Sequence, residues 1–528
     1  MMSTQLKPFH TLLTIVAASA LPCTGLSLRV FSPTNHLRMN GFPENPTVNS
    51  SFLNPGGGAS GVLDLSGVGW SVEDPTKQVT LVSPRHFVGA NHFRPGVGST
   101  IRFLARDNSL HTLTILKISP IPNANNSPSD VYLGEFTADM PASAAVLPLP
   151  YLNLATEAAY VGQQLVVVGQ AARGGRGVIG SVSDFGGDPI TGGAGIATRA
   201  FTFSYATLVG SADDAYAQAG DSGSPSFVVN TSSGKAALVG THTAVLNASG
   251  TITTYDTLVP HYAPKLNGLM DATGLHLRKT DPPATSLSAS GAPTASVRAA
   301  SPYVLRLSVT NGSAAADNVT ASLDVPPGFQ ITGIQAPGWF VTGPSTLRRG
   351  GLAAGETVQF DVAMTSAPAD GMFTVSLNLK SDGSASQSFP LQIATLPSFA
   401  GWASGLQDAT LTGDTDQDGI SNLIEYASGG DNRSGSVYFP GTATPLLPVF
   451  STAPPTLSFI RRTDAAARGL SYVVETSDTL TAGSWQSLGQ VPISVTPGPG
   501  PGFERAQAGL PANAAAKAFY RLRIGLAE

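Results

Sequence analysis

Short alternating runs of apolar and polar residues, each cut off by glycine or proline, recur along most of this chain and restrict it to β folds. Residues 79–82, 304–309, 321–325, 358–362 and 373–379 carry the period of two expected of strands with one buried face. With 58 glycines and 40 prolines among 528 residues, turns are frequent and long helices have little room. The expected fold class is mostly β, and the length calls for about three or four domains.

Charge narrows the partners. Only 12% of residues are charged and the net charge is -5, with no Lys/Arg-rich stripe, so neither nucleic acid nor an anionic membrane surface is expected as a partner. The first residues, with Lys7 ahead of the apolar run 11–20 and Ala18-Ser19-Ala20 at its end, read as a secretory signal peptide over 1–20. No later stretch is long and apolar enough to span a bilayer. Cys23 is the only cysteine, so no intramolecular disulfide is available, and Pro22 stands where a lipid-anchor motif wants a small residue. These features point to an exported bacterial protein, secreted, periplasmic or at the cell surface, stabilised by its cores and by metal rather than by cross-links.

Function concentrates at Gly220-Asp221-Ser222-Gly223-Ser224-Pro225, followed by the β-type run 226–229. Glycine on both sides of Ser222 permits a sharp turn that leaves a hydroxyl exposed. The stretch resembles the active-serine segment of chymotrypsin-like (trypsin-fold) serine proteases, read as GDSGGP or GDSGSP. Upstream, Val88-Gly89-Ala90-Asn91-His92-Phe93 resembles the family's strand followed by Leu-Thr-Ala-Ala-His-Cys, which makes His92 the expected base rather than His86 of Ser83-Pro84-Arg85-His86. Phe93 replaces the family's cysteine and is expected to brace His92 by packing. Ser129-Asp130-Val131-Tyr132-Leu133 resembles the segment that carries the third member, so the order His92, Asp130, Ser222 is that of the chymotrypsin fold. The resemblance spans about residues 45–275, ending in the amphipathic segment 262–270, and implies a double β-barrel.

What the resemblance implies chemically is a serine endopeptidase acting on protein or peptide substrates, with no cofactor for catalysis. Ser222 would be the nucleophile, His92 the base, Asp130 its orienting carboxylate, and the N–H groups of Gly220 and Ser222 the oxyanion donors. Tyr216 stands where trypsin-like enzymes place an aspartate, so cleavage after Lys or Arg is not implied. Gly240, Thr241 and His242 match the substrate-pairing segment, and some relatives that cut after Glu or Gln carry a histidine there. No Ile-Val-Gly-Gly-like start offers an amine to Asp221, which needs another partner. The alternative from a different class is an adhesion or scaffold protein with an inactive protease-like domain. An esterase with the same triad is a third reading.

Beyond the protease-like region (40–278), a Pro/Ser/Thr/Ala-rich linker is expected at 279–296 and an Ig-like β-sandwich at 297–395. The region 396–430 contains Asp414-Thr415-Asp416-Gln417-Asp418-Gly419-Ile420-Ser421-Asn422-Leu423-Ile424-Glu425. It fits the twelve-position Ca²⁺ loop, with ligands expected from Asp414, Asp416, Asp418, the Ile420 carbonyl, Asn422 and Glu425. The loop resembles the dockerin-like and thrombospondin-type-3-like loops of exported bacterial proteins, which implies structural Ca²⁺. Residues 431–528 read as a small C-terminal β-domain, with 497–502 as a Pro-Gly loop and cell-surface attachment left open.

Overall fold

The computed structural model describes residues 25–54, 63–187, 196–205, 211–229, 235–248, 251–312, 314–366, 371–489, 491–511 and 518–527. The expected signal peptide (1–20) and Cys23 lie outside them. The architecture is mostly β and multi-domain, as the alternating runs predict.

Six strands close a barrel in the order Val68–Ser71, Gln78–Leu81, His86–Gly89, Pro128–Phe136, Leu110–Pro122 and Thr100–Leu104. Phe87, Phe103, Phe136 and Tyr132 fill it. A seven-stranded antiparallel sheet follows, in the order Gly174–Val178, Gln164–Val168, Pro225–Val229, Ala236–Ala248, Thr251–Leu258, Ile196–Ser204 and Ser181–Gly187. It curls until Gly177 lies against the Phe203 ring, enclosing Phe201, Phe203 and Val239. The helix Ala263–Met270 buries Leu266 and Met270 in the apolar cluster shared by the two units, as its amphipathic pattern requires. A side-chain bond from Gln78 Nε2 to the Gly169 carbonyl (2.6 Å) ties barrel to sheet.

Packing of the chain onto the curled sheet begins well before residue 40. Ser27–Leu28 pairs with Ala215–Tyr216, and Leu26 is buried in the core of that sheet. Arg29 pairs with Asp214 and His36 with Asp213.

A sandwich of a four-stranded and a six-stranded sheet covers 287–396, its core including Leu305, Leu307, Phe360, Val375 and Leu377. The stretch expected to be linker contributes an edge strand, Leu287–Pro293, paired along its whole length with Pro302–Asn311. Small residues permit extension there, and backbone pairing supplies what side-chain hydrophobicity does not. The sandwich is also fixed to the barrel-and-sheet region. Arg348 bonds Asp139 and the Thr273 carbonyl, while His276 sits between Asp317 and Asp271 at 2.9 Å each. Burial alone would lower the His276 pKa, but the bonds to Asp317 and then Asp271 outweigh it and raise it above its ordinary 6.5. A raised histidine pKa stabilises the fold fully below the unfolded value and ceases to as pH rises through the folded one. The melting-temperature gap between wild type and His276→Gln is therefore expected to be widest below about pH 6 and to narrow as pH rises. A gap that widens with pH would contradict this.

At the C-terminus a four-stranded sheet (Val449–Thr452, Pro455–Arg462, Phe503–Gly509, Ile493–Pro497) and a three-stranded one (Gln486–Ser487, Leu470–Ser477, Phe519–Leu526) share a core of Leu457, Phe459, Val474 and Ala506. The segment 498–502 is the hairpin connection, as the Pro-Gly alternation predicts.

Candidate active site

His92, Asp130 and Ser222 meet where the closed barrel faces the curled sheet. His92 lies on a short 3₁₀ turn, Asn91–Phe93, directly after the barrel strand His86–Gly89. Asp130 is buried in the adjacent strand, where its Oδ1 accepts the His92 backbone N–H at 3.0 Å. The ring's Nδ1 is 2.9 and 2.8 Å from the two carboxylate oxygens, and Nε2 is 2.9 Å from Ser222 Oγ. The histidine side chain is 27% exposed, so the hydrogen-bonded chain runs from the interior to solvent. Phe93 is half-buried with Lys77 Nζ 5.5 Å from its ring centroid, and the bond from the His92 main-chain N–H to Asp130 holds the histidine turn.

The turn that presents Ser222 depends on two left-handed glycines, Gly220 (φ 93°) and Gly223 (φ 83°). A Cβ at Gly223 would press on the Ala90 amide at 3.2 Å, so the turn packs directly against the backbone that leads to His92. Asp221 N–H donates to the Gln218 carbonyl, Gly223 N–H to the His242 carbonyl, and Ser224 N–H to the Asp221 carbonyl. Gly220 and Ser222 N–H donate to no group among the described residues. Two free amides thus flank the serine hydroxyl.

His86, the other histidine of the segment, is buried and bonded to Ser83 Oγ (2.8 Å), and burial followed by Arg348 and Arg85 pushes its pKa down to about 3. It is neutral and remote from Ser222's hydrogen bonds.

The expected substrate-binding residues divide. Tyr216 is half-buried, its ring edge-on to Tyr205 at 5.0 Å between centroids. Gly240, Thr241 and His242 lie beneath the site rather than on its wall. Gly240 packs on the Phe201 ring, Thr241 is fully buried, and both nitrogens of the buried His242 ring are engaged, by Asp256 and the Val168 carbonyl. The reason is register. Strand Ala236–Ala248 pairs with Pro225–Val229 only as far as Thr241, and a bulge against Thr251–Leu258 interrupts it between His242 and Ala244. From Thr243 onward its other edge has no strand partner among the described residues. The alternation in sequence gives no sign of that bulge.

The loop 414–425 is a second candidate site. One carboxylate oxygen each of Asp414, Asp416 and Asp418 lies within 4.8 Å of the others. Both oxygens of Asp416, Oδ2 of Asp418, Oδ1 of Asn422 and both oxygens of Glu425 are buried without a hydrogen-bond partner. Gly419 takes φ 88°, the sharp turn its position demands, and the Asp418 and Gly419 N–H groups donate to Asp414. Burial, then Asp416, Asp418, Asp414 and Asp431, pushes the Glu425 pKa up to about 8. Orphaned buried oxygens and crowded carboxylates fit a hard cation with oxygen ligands.

No protein-family model matches the chain, and no curated protein matches it. Among solved structures it is similar to the secreted serine protease VesC from Vibrio cholerae, at 11% identity over 87% of this chain and 96% of that one, TM-score 0.26. It is similar also to the passenger domain of plasmid-encoded toxin, an autotransporter enterotoxin from enteroaggregative Escherichia coli (13% identity, 36% of this chain, 21% of that one, TM-score 0.21). The CARDB domain of PF1109 from Pyrococcus furiosus is 9% identical over 22% of this chain and 98% of its own, TM-score 0.16.

Proposed function

We propose that the protein is an exported serine endopeptidase that hydrolyses peptide bonds through an acyl-enzyme on Ser222. The observation that carries the reading is the conjunction of a hydrogen-bonded Asp130–His92–Ser222 chain with two uncommitted amides on the serine turn. Ser222 Oγ attacks the substrate carbonyl carbon while its proton passes to His92 Nε2. Asp130 holds Nδ1–H and stabilises the imidazolium. The carbonyl oxygen takes up negative charge against the Gly220 and Ser222 N–H groups, a contribution of about 3 kcal/mol per donor. His92 then protonates the leaving amine, the C–N bond breaks, and water activated by the same imidazole releases the acid and restores Ser222. The edge from Thr243, which has no strand partner among the described residues, favours an extended peptide over a small ester, because it offers backbone groups for strand addition. Structural Ca²⁺ in the 414–425 loop, held by Asp414, Asp416, Asp418, the Ile420 carbonyl, Asn422 and Glu425, completes the proposal.

Covalent labelling by a fluorophosphonate probe tests this directly. Wild type is expected to label, and Ser222→Ala and His92→Ala to lose labelling, with all three folded. A folded wild type that stays unlabelled in calcium would return the chain to the adhesion-scaffold reading.

A further inference from the structure

Asp221, beside the nucleophile, is fully buried, and a buried carboxylate needs compensation. It accepts the Gln170 N–H at 2.8 Å and the Gln218 N–H at 2.7 Å. Neutral amides leave its charge to be balanced from elsewhere. Leu26, an internal residue of the N-terminal segment, packs beside it: a Cβ placed on Gly169 would meet Asp221 Oδ1 at 2.5 Å and Leu26 Cγ at 2.7 Å. Burial pushes the Asp221 carboxyl up to about 6, opposed first by the Gln218 N–H and then by the charge of His242, with Gln170 and Arg173 adding to it.

The surroundings of His242 settle its protonation by hydrogen-bond logic. Nδ1 is 2.7 Å from Asp256 Oδ1 and Nε2 is 2.9 Å from the Val168 carbonyl oxygen. A carbonyl oxygen only accepts, and Asp256 already accepts the Ser226 hydroxyl through Oδ2 at 2.6 Å. Both ring nitrogens must donate, so the ring is an imidazolium. Its main chain grips the nucleophile turn: His242 N–H donates to the Ser224 carbonyl (2.9 Å) and its carbonyl accepts Gly223 N–H (3.0 Å). Val168, at the other end of the ring, immediately precedes Gly169 and Gln170, the latter being the residue that holds Asp221.

We infer that His242, clamped between Asp256 and Val168, is the positioning residue of the nucleophile turn: it fixes Gly223 and Ser224 through its backbone and supplies buried positive charge facing Asp221, so that the turn assembles without a newly cut N-terminus. This rests on the serine-hydrolase reading of Ser222.

The test compares fluorophosphonate labelling rates, kcat and KM on one peptide, and melting temperature for wild type, His242→Gln, Asp256→Asn and a wild-type form carrying an uncleavable extension ahead of residue 21. His242→Gln is expected to slow labelling and kcat by about 100-fold with KM nearly unchanged. Asp256→Asn removes the carboxylate that keeps the ring charged, leaving Asp221 as the carboxylate that acts on it. Its labelling rate is expected to fall as pH rises and the His242 ring loses its charge, where wild type holds a plateau. The extended form is expected to label like the trimmed one. Wild-type labelling of His242→Gln, an effect confined to KM, a plateau in Asp256→Asn, or labelling that requires trimming would each overturn the inference. If His242→Gln does not fold, the pH profile and the extended form decide. Wild-type labelling in the same experiment separates these outcomes from failure of the hydrolase reading itself.

Discussion

An Asp130→Asn variant is expected to lose about 10⁴-fold in kcat on a peptide substrate while keeping its fold and most of its substrate affinity. The reason is the double duty of one carboxylate. Asp130 Oδ1 accepts the His92 main-chain N–H, and both oxygens lie within reach of Nδ1. Asparagine has one acceptor and one donor end. If its oxygen keeps the main-chain bond, its NH₂ faces Nδ1, which must then be the unprotonated nitrogen. The ring proton moves to Nε2 and points at Ser222 Oγ, where a proton acceptor is needed. Size and burial are preserved, so folding survives and the base does not. The measurement is steady-state kinetics beside fluorophosphonate labelling, both expected to collapse together. A variant retaining more than a tenth of wild-type kcat would show that Asp130 is not orienting a catalytic imidazole.

The residues of this site were readable in the sequence because each sits where local chemistry is conspicuous: a glycine-flanked serine, a histidine after a strand, an aspartate within a buried one. The wall of the site was not. Whether His242 faces substrate or interior depends on a one-residue bulge and on where the pairing with Pro225–Val229 ends, and neither leaves a mark on composition. Likewise nothing in Ser27-Leu28 announces that it will pair with residues nearly two hundred positions later, and the Ser/Ala/Gly-rich run at 287–293 looks like a tether until its neighbour supplies the hydrogen bonds. Strand existence was set by local pattern. Strand partnership was set by long-range pairing, which a single sequence hides.

Calcium chelation is the other perturbation with a large expected effect, and its sign can be cross-checked within one residue. In the 414–425 loop the carboxylates of Asp414, Asp416, Asp418 and Glu425 crowd together, and both Glu425 oxygens are buried and unpartnered. The helix that follows, Asn422–Ser428, is built into its surroundings. Tyr426 packs on Phe399 and Trp402, its carbonyl accepts Arg462 Nε at 2.6 Å, and the Ala427 carbonyl accepts the Tyr472 hydroxyl at 2.7 Å. Repulsion in the loop is therefore transmitted to both C-terminal sheets. With Ca²⁺ at about 100 times its Kd the fold gains about 2.7 kcal/mol, so chelation is expected to lower the melting temperature of the C-terminal part by about 10 °C. Glu425→Gln separates a cation site from a merely acidic loop. In chelator at neutral pH wild type must protonate Glu425 in order to fold, a cost that the substitution removes, so Glu425→Gln is expected to raise the melting temperature above that of wild type. In calcium it removes an anionic ligand and is expected to lower it below wild type, with weaker binding by calorimetry. The two effects must cross. If wild type melts identically with and without calcium, or the variant shows the same shift in both conditions, the loop is not a calcium site.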